Sequence, residues 1–110
     1  MKTGDYTVGY ARCRVGISEL VAPELRAKLR EVSGLVCDAA SRGKGHANRL
    51  MGQVIATADD HGMTLLVLPE PFEDEPMDKT TLRDWYARLG FRVIQAQPCV
   101  MARPPKVLNG

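Results

Sequence analysis

The clearest pattern in the chain runs from Ala47 to Ala58, where Ala47, Leu50, Met51, Val54 and Ala58 recur at i, i+3, i+4, i+7 and i+11. That is the apolar stripe of an amphipathic helix, and Gly62 supplies a left-handed stop. Met63 to Leu68 is an almost unbroken apolar run closed by Pro69, which predicts a central strand buried on both faces. A second helix is expected from about Lys79 to Leu89, with Asp78 as its cap and Gly90 as its end. Leu82, Trp85, Tyr86 and Leu89 fall on one face of it. Phe91 to Ile94 reads as a strand, and Val100 to Ala102 as its partner across Gln95 to Cys99. The signal ahead of Leu35 is weaker. Tyr6 to Val15 alternates loosely, as a strand does. Ser18 as a cap and Pro23 in the first turn predict a helix carrying Leu25, Leu29 and Val32, ended by Gly34. Leu35 to Cys37 reads as a short buried strand. Alternating strands and helices predict an α/β domain.

Composition narrows the picture by exclusion. At 110 residues the chain is expected to be a single domain, residues 1–110, with 45% hydrophobic and 25% charged residues, ordinary for a globular protein. The net charge of +2 is too small to argue for nucleic acid or a membrane surface, despite the basic Arg26, Lys28 and Arg30. No run approaches the ~18 apolar residues of a membrane span, and the N-terminus lacks a basic-then-apolar leader. Cys13, Cys37 and Cys99 are odd in number and without Cys-x-x-Cys spacing, and only His46 and His61 accompany them. Neither a disulfide framework nor a metal site is expected; a reduced, cytoplasmic setting is.

The candidate chemistry lies in Arg42-Gly43-Lys44-Gly45-His46-Ala47, between the strand-like Leu35–Cys37 and the long amphipathic helix. Glycines let the backbone approach a ligand closely, and the amides opening a helix point at anions. A phosphate site is therefore predicted. It is not a P-loop, since Gly43-Lys44 is followed by Gly45 and Asp38 stands where the first glycine belongs. It is not a dinucleotide fingerprint, since Asn48 takes the place of the third glycine. The remaining order, Arg42-x-x-Gly45-x-Ala47, resembles the acetyl-CoA pyrophosphate loop of the GNAT superfamily of N-acetyltransferases. Trp85-Tyr86-Ala87-Arg88-Leu89-Gly90-Phe91 resembles the late helix of the same superfamily, at a suitable spacing. The two motifs span Leu35 to Met101, roughly 60% of the chain; the residues before them carry no resemblance we can place.

The resemblance implies a mixed, mostly antiparallel central sheet with flanking helices and a shortened N-terminal half. It also implies acetyl-CoA as acyl donor, with its pyrophosphate on the amides of Gly43, Lys44, Gly45, His46 and Ala47 beside Arg42. The thioester carbonyl would then meet a backbone N–H of the strand holding Leu35 and Cys37. Tyr86 matches the family's tyrosine that assists the departing thiolate. Full proton transfer from a phenol near 10 to a thiolate near 8.5 is uphill by ~2 kcal/mol, so hydrogen bonding is the expected role. The alternative for Tyr86 is a packed core residue, and Trp85 is expected in the core. Glu70, just past the buried strand, is the candidate general base, against a solvated loop acid; Glu73, Asp74, Glu75 and Asp78 add local negative charge. His46 is either a ligand contact or a surface residue. The leading reading is an N-acetyltransferase acting on a primary amine, as a homodimer or with a shallow site open to a large acceptor. The competing reading is a non-catalytic acyl-CoA-binding module.

Overall fold

A computed structural model describes residues 1–9, 11–18, 22–37, 45–69 and 79–106 of the chain. Its elements run in the order β1 (Gly4–Val8), β2 (Ala11–Gly16), a 3-10 turn (Pro23–Lys28), β3 (Leu29–Cys37), α1 (His46–Asp60), β4 (Thr64–Val67), α2 (Lys79–Arg88), β5 (Arg92–Ala96) and β6 (Cys99–Arg103). The strands form one sheet in the order β1-β2-β3-β4-β6-β5, antiparallel throughout except for the parallel β3–β4 pair. The α/β architecture and its mostly antiparallel sheet agree with the expectation.

β4 is the central strand its sequence predicts: Leu65, Leu66 and Val67 are all buried, each contributing about 1.5–3 kcal/mol on burial. Leu65 and Val67 point to one side with Ala11, Cys13 and Val15 of β2, into a cluster shared with Leu50, Met51, Val54 and Ala58 of α1 and with Leu82 and Tyr86 of α2. Both helices therefore cover the same face of the sheet. The opposite face of β1 and β2 is polar: Asp5, Thr7, Arg12 and Arg14 are exposed on it. α1 stops where expected, with Gly62 at φ 66°. The β5–β6 hairpin also forms as predicted.

The N-terminal third differs. Tyr6 to Val15 is a hairpin of two strands turning at Gly9, not one strand. The helix expected from Ser18 to Gly34 is replaced by the short 3-10 turn and the nine-residue β3. Pro23 does open that turn, but Leu25 is exposed and Ser18 is buried away from it. Leu25, Leu29 and Val32 kept helical spacing by coincidence. Two flanking strands claim the backbone of β3, and tertiary pairing outweighs a weak local preference. Arg30 suits a strand because its guanidinium reaches carbonyls of Met1, Arg26 and Leu29 at 3.2, 3.0 and 2.9 Å.

Candidate active site

β3 and β4 run parallel, so their carboxyl ends share one edge of the sheet, where α/β folds collect ligands. β3 reaches beyond its partner. Its pairing with β4 stops at Val32 opposite Val67, whereas its pairing with β2 continues to Cys37 opposite Ala11. From Ser33 onward, one edge of β3 faces no strand among the described residues. A bulge accompanies this departure: Arg14 opposes Ser33 and Arg12 opposes Val36, so Gly34 and Leu35 together face Cys13. Gly34 adopts φ 60°, the left-handed conformation that such a bulge assigns to glycine.

α1 begins at the same corner. Gly45 is its N-cap at φ 80° and ψ 11°, and no side-chain hydrogen bond caps the helix there. The first bond along the helix runs from the Arg49 amide to the Gly45 carbonyl, at 3.0 Å. A Cβ at Gly45 would meet nothing within 4 Å among the described residues, so glycine is required there by backbone conformation. Gly9 of the β1–β2 turn is left-handed as well, at φ 58°, and clearance adds a second reason for glycine. A Cβ on it would lie 2.8 Å from His46 Nδ1, so only glycine lets the turn seat against the first residue of α1. Ala11, two residues on, opposes Cys37. The end of β3, the hairpin turn and the start of α1 thus converge.

Tyr86 is buried, 6% exposed, in the shared core. Its ring meets Trp85 and Phe91 edge-on, with centroids 5.0 and 5.4 Å apart. Burial pushes its phenol up to about 12, with a smaller contribution from the Cys13 thiol. Cys13 is itself pushed up to about 11 by burial and by the Asp5 carboxylate. Trp85, half-buried, donates from Nε1 to Asn48 Oδ1 at 2.7 Å, which fastens α2 to the first turn of α1.

Of the predicted site residues, Gly45, His46 and Ala47 form the start of α1, Leu35 lies in the bulge, and Cys37 ends β3. Tyr86 lies in the shared core, next in sequence to Trp85, whose indole bonds Asn48 of α1. Arg42, Gly43, Lys44 and Glu70, together with Glu73, Asp74, Glu75 and Asp78, lie outside the described residues. Sequence reasoning missed Asn48 and Gly9. In the sequence Asn48 reads only as a failed third glycine, and nothing local to Gly9 signals the helix that approaches it. Among the described residues no group of His, Cys, Asp and Glu is placed to hold a metal, and no helix is long and apolar enough to cross a membrane.

The chain that carries this geometry has counterparts among known proteins. The model of the acetyltransferase (GNAT) family matches residues 1–91. The chain belongs to this family. The match begins at the first residue, so the β1–β2 hairpin and β3, where no motif was legible, are part of the GNAT pattern. Comparison with curated protein sequences gives no significant match. Among solved structures, the anti-CRISPR protein AcrVA5 is similar at a TM-score of 0.71 and 12% identity, over 93% of this chain and 98% of that one. N-acetylglutamate synthase from Neisseria gonorrhoeae, complexed with coenzyme A and L-arginine, gives 0.59 and 16%, over 89% of this chain and 22% of its own. A GCN5-related N-acetyltransferase from Kribbella flavida gives 0.61 and 23%, over 86% and 60%. The chain therefore spans nearly all of the first but less than two thirds of the other two. The likeness is one of fold.

Proposed function

We propose that the protein is an acetyl-CoA-dependent N-acetyltransferase that acts on a primary amine in the cytoplasm. The observation that carries this reading is Gly45. It caps α1 in the left-handed conformation, brings no side chain to the first-turn amides, and stands at the family's phosphate-loop glycine. A helix start of this kind suits the donor's pyrophosphate, which Arg42, Gly43 and Lys44 would flank. The dipole of one helix contributes only ~0.3–1 kcal/mol to an exposed anion. Several converging, charge-assisted N–H bonds supply the rest.

The thioester then lies along the free edge of β3 beyond Val32, where the backbone around Leu35 and Cys37 offers an N–H to its carbonyl oxygen. A neutral amine attacks the carbonyl carbon, the N–C bond forms, and the N–H stabilises the oxyanion. Collapse breaks the C–S bond. The amine's proton passes to Glu70 or to water, and the Tyr86 hydroxyl donates a hydrogen bond to the departing thiolate. No covalent enzyme intermediate is required. A phenol held near 12 cannot surrender its proton to a thiolate near 8.5 without a cost of about 5 kcal/mol, so donation without transfer is its chemistry.

Calorimetry with acetyl-CoA and CoA tests the loop: native protein binds both, and Gly45→Glu, which strains the cap and sets a carboxylate beside the pyrophosphate, binds neither. An unchanged dissociation constant in Gly45→Glu removes the site from this loop. The burial of Tyr86 among Trp85 and Phe91 is also what a purely packed tyrosine would show, and it favours a non-catalytic acyl-CoA-binding module as the second reading. Thiol release over a broad amine panel separates the two, since a module binds without turnover.

A further inference from the structure

The face of the sheet turned away from both helices carries a feature that donor binding does not use. Two adjoining hollows, each of about 470 Å³, lie over β1 and β2 and share Asp5 and Arg14. The first extends to Thr7, Arg12, Ser33 and Gly34, which brings it against the bulge where β3 leaves β4. The second extends along Val15 and Gly16 to Ile17, an exposed apolar side chain. Arg12 opposes Val36 near the carboxyl end of β3, and Ile17 lies past the opposite end of β2. Their separation, five residues of extended chain, is about 17 Å. An extended segment of five or six residues fits that length.

The charges along it are uneven. Arg14 is paired with Asp5 at 3.4 Å, both well exposed. Arg12 enters no ion pair or hydrogen bond among the described residues. The end of the trough nearest the bulge thus presents one unspent guanidinium flanked by the hydroxyl side chains of Thr7 and Ser33. Asp5 close by disfavours a dianion such as a phosphate monoester but tolerates a single carboxylate. Along β2 the order is then cation, neutralised pair, apolar residue, with the bulge opposite Cys13, between Arg12 and Arg14.

We infer that this trough is the acceptor site, and that the acceptor is a protein segment lying extended along β2, with an acidic side chain close to the amine that is acetylated and an apolar one near its far end. The inference rests on the acetyltransferase reading. It places the amine at the bulge, one strand position from the backbone proposed to hold the thioester carbonyl, with Arg12 receiving the neighbouring carboxylate.

The test is acetyl transfer to single-lysine peptides carrying Glu, Ala or Arg two residues from the lysine, followed by thiol release and by anisotropy of the same labelled peptides with CoA present. Native protein should favour the Glu peptide over the Ala peptide by roughly fivefold in KM and in binding, the scale of one exposed charge pair, and the preference should shrink in ~0.5 M salt. Arg12→Glu should reverse the order to favour the Arg peptide. Free lysine and free glutamate should react far more slowly than any of the peptides. An identical peptide order in native protein and Arg12→Glu, or free amino acids turning over as well as peptides, overturns the inference while leaving the acetyltransferase reading in place. No turnover with any peptide or amine, in protein that still binds acetyl-CoA, overturns both.

Discussion

A phenol at Tyr86 that keeps its proton up to about 12 is set by burial first and by the Cys13 thiol second. The folded state therefore favours the neutral phenol. Its contribution to stability is complete below the unfolded value near 10 and is lost as pH rises from there through about 12. Spectroscopic titration of the chain's three tyrosines should show one ionising about two pH units above the usual value, and Tyr86→Phe should remove it. In the proposed mechanism the same change lowers turnover by about 10- to 100-fold, the worth of one hydrogen bond to a charged group, with acetyl-CoA affinity nearly unchanged. Full activity in Tyr86→Phe would return the residue to packing alone. Glycines act at this scale too, by backbone conformation at Gly45 and by conformation and clearance together at Gly9.

Elements are held in register by a clamp at the end of the molecule opposite the proposed donor site. Arg103 of β6 grips Asp59, next to last in α1, through two parallel bonds of 2.7 and 3.3 Å, and its Nε donates to the carbonyl of Leu89 just past α2. The Lys106 amide adds a bond to the same carboxylate at 2.9 Å. Both side chains of the pair are largely buried, so removing one partner strands the other. The Arg103 hydrogen bonds, aided by the Lys106 amide, hold the Asp59 carboxyl below its ordinary value. A depressed carboxylate contributes stability above its unfolded pKa near 3.9 and loses it as pH falls through the folded one. Asp59→Asn, which weakens these charge-assisted hydrogen bonds, should therefore cost about 2 kcal/mol at pH 7. The gap between its melting curve and that of the native protein should begin to narrow below about pH 4 and close as pH falls through the folded value. A gap constant from pH 7 to 3 would mean that the ion pair does not contribute.

At its β1–β2 side the sheet has one dry face and one wet face. Both helices share one hydrophobic cluster, while β1 and β2 turn Asp5, Thr7, Arg12 and Arg14 to the other side. A polar sheet face is stable in water and needs no cover, so it is open to an acceptor. Every residue of the edge strand β5 is exposed, including Val93 and Ile94, and an exposed apolar edge is where chains add to one another. We propose a homodimer joined there. Light scattering at micromolar concentration should report twice the chain mass for native protein and the single mass for Ile94→Lys; a native monomer refutes the dimer.

The sequence by itself determined what depends on local periodicity and on short motifs. The stripe from Ala47 to Ala58, the apolar run of β4, the stops at Gly62 and Gly90, and the family's loop and late-helix patterns are all written in neighbouring residues. Tertiary structure decided what depends on partners distant in the chain. β3 is a strand because β2 and β4 flank it, although its own spacing favoured a helix. Gly34 is a bulge rather than a helix end because Cys13 lies opposite two residues at once. Asn48 matters through Trp85, 37 residues away. Backbone hydrogen bonds between strands join residues by register rather than by sequence, and no local pattern encodes that register.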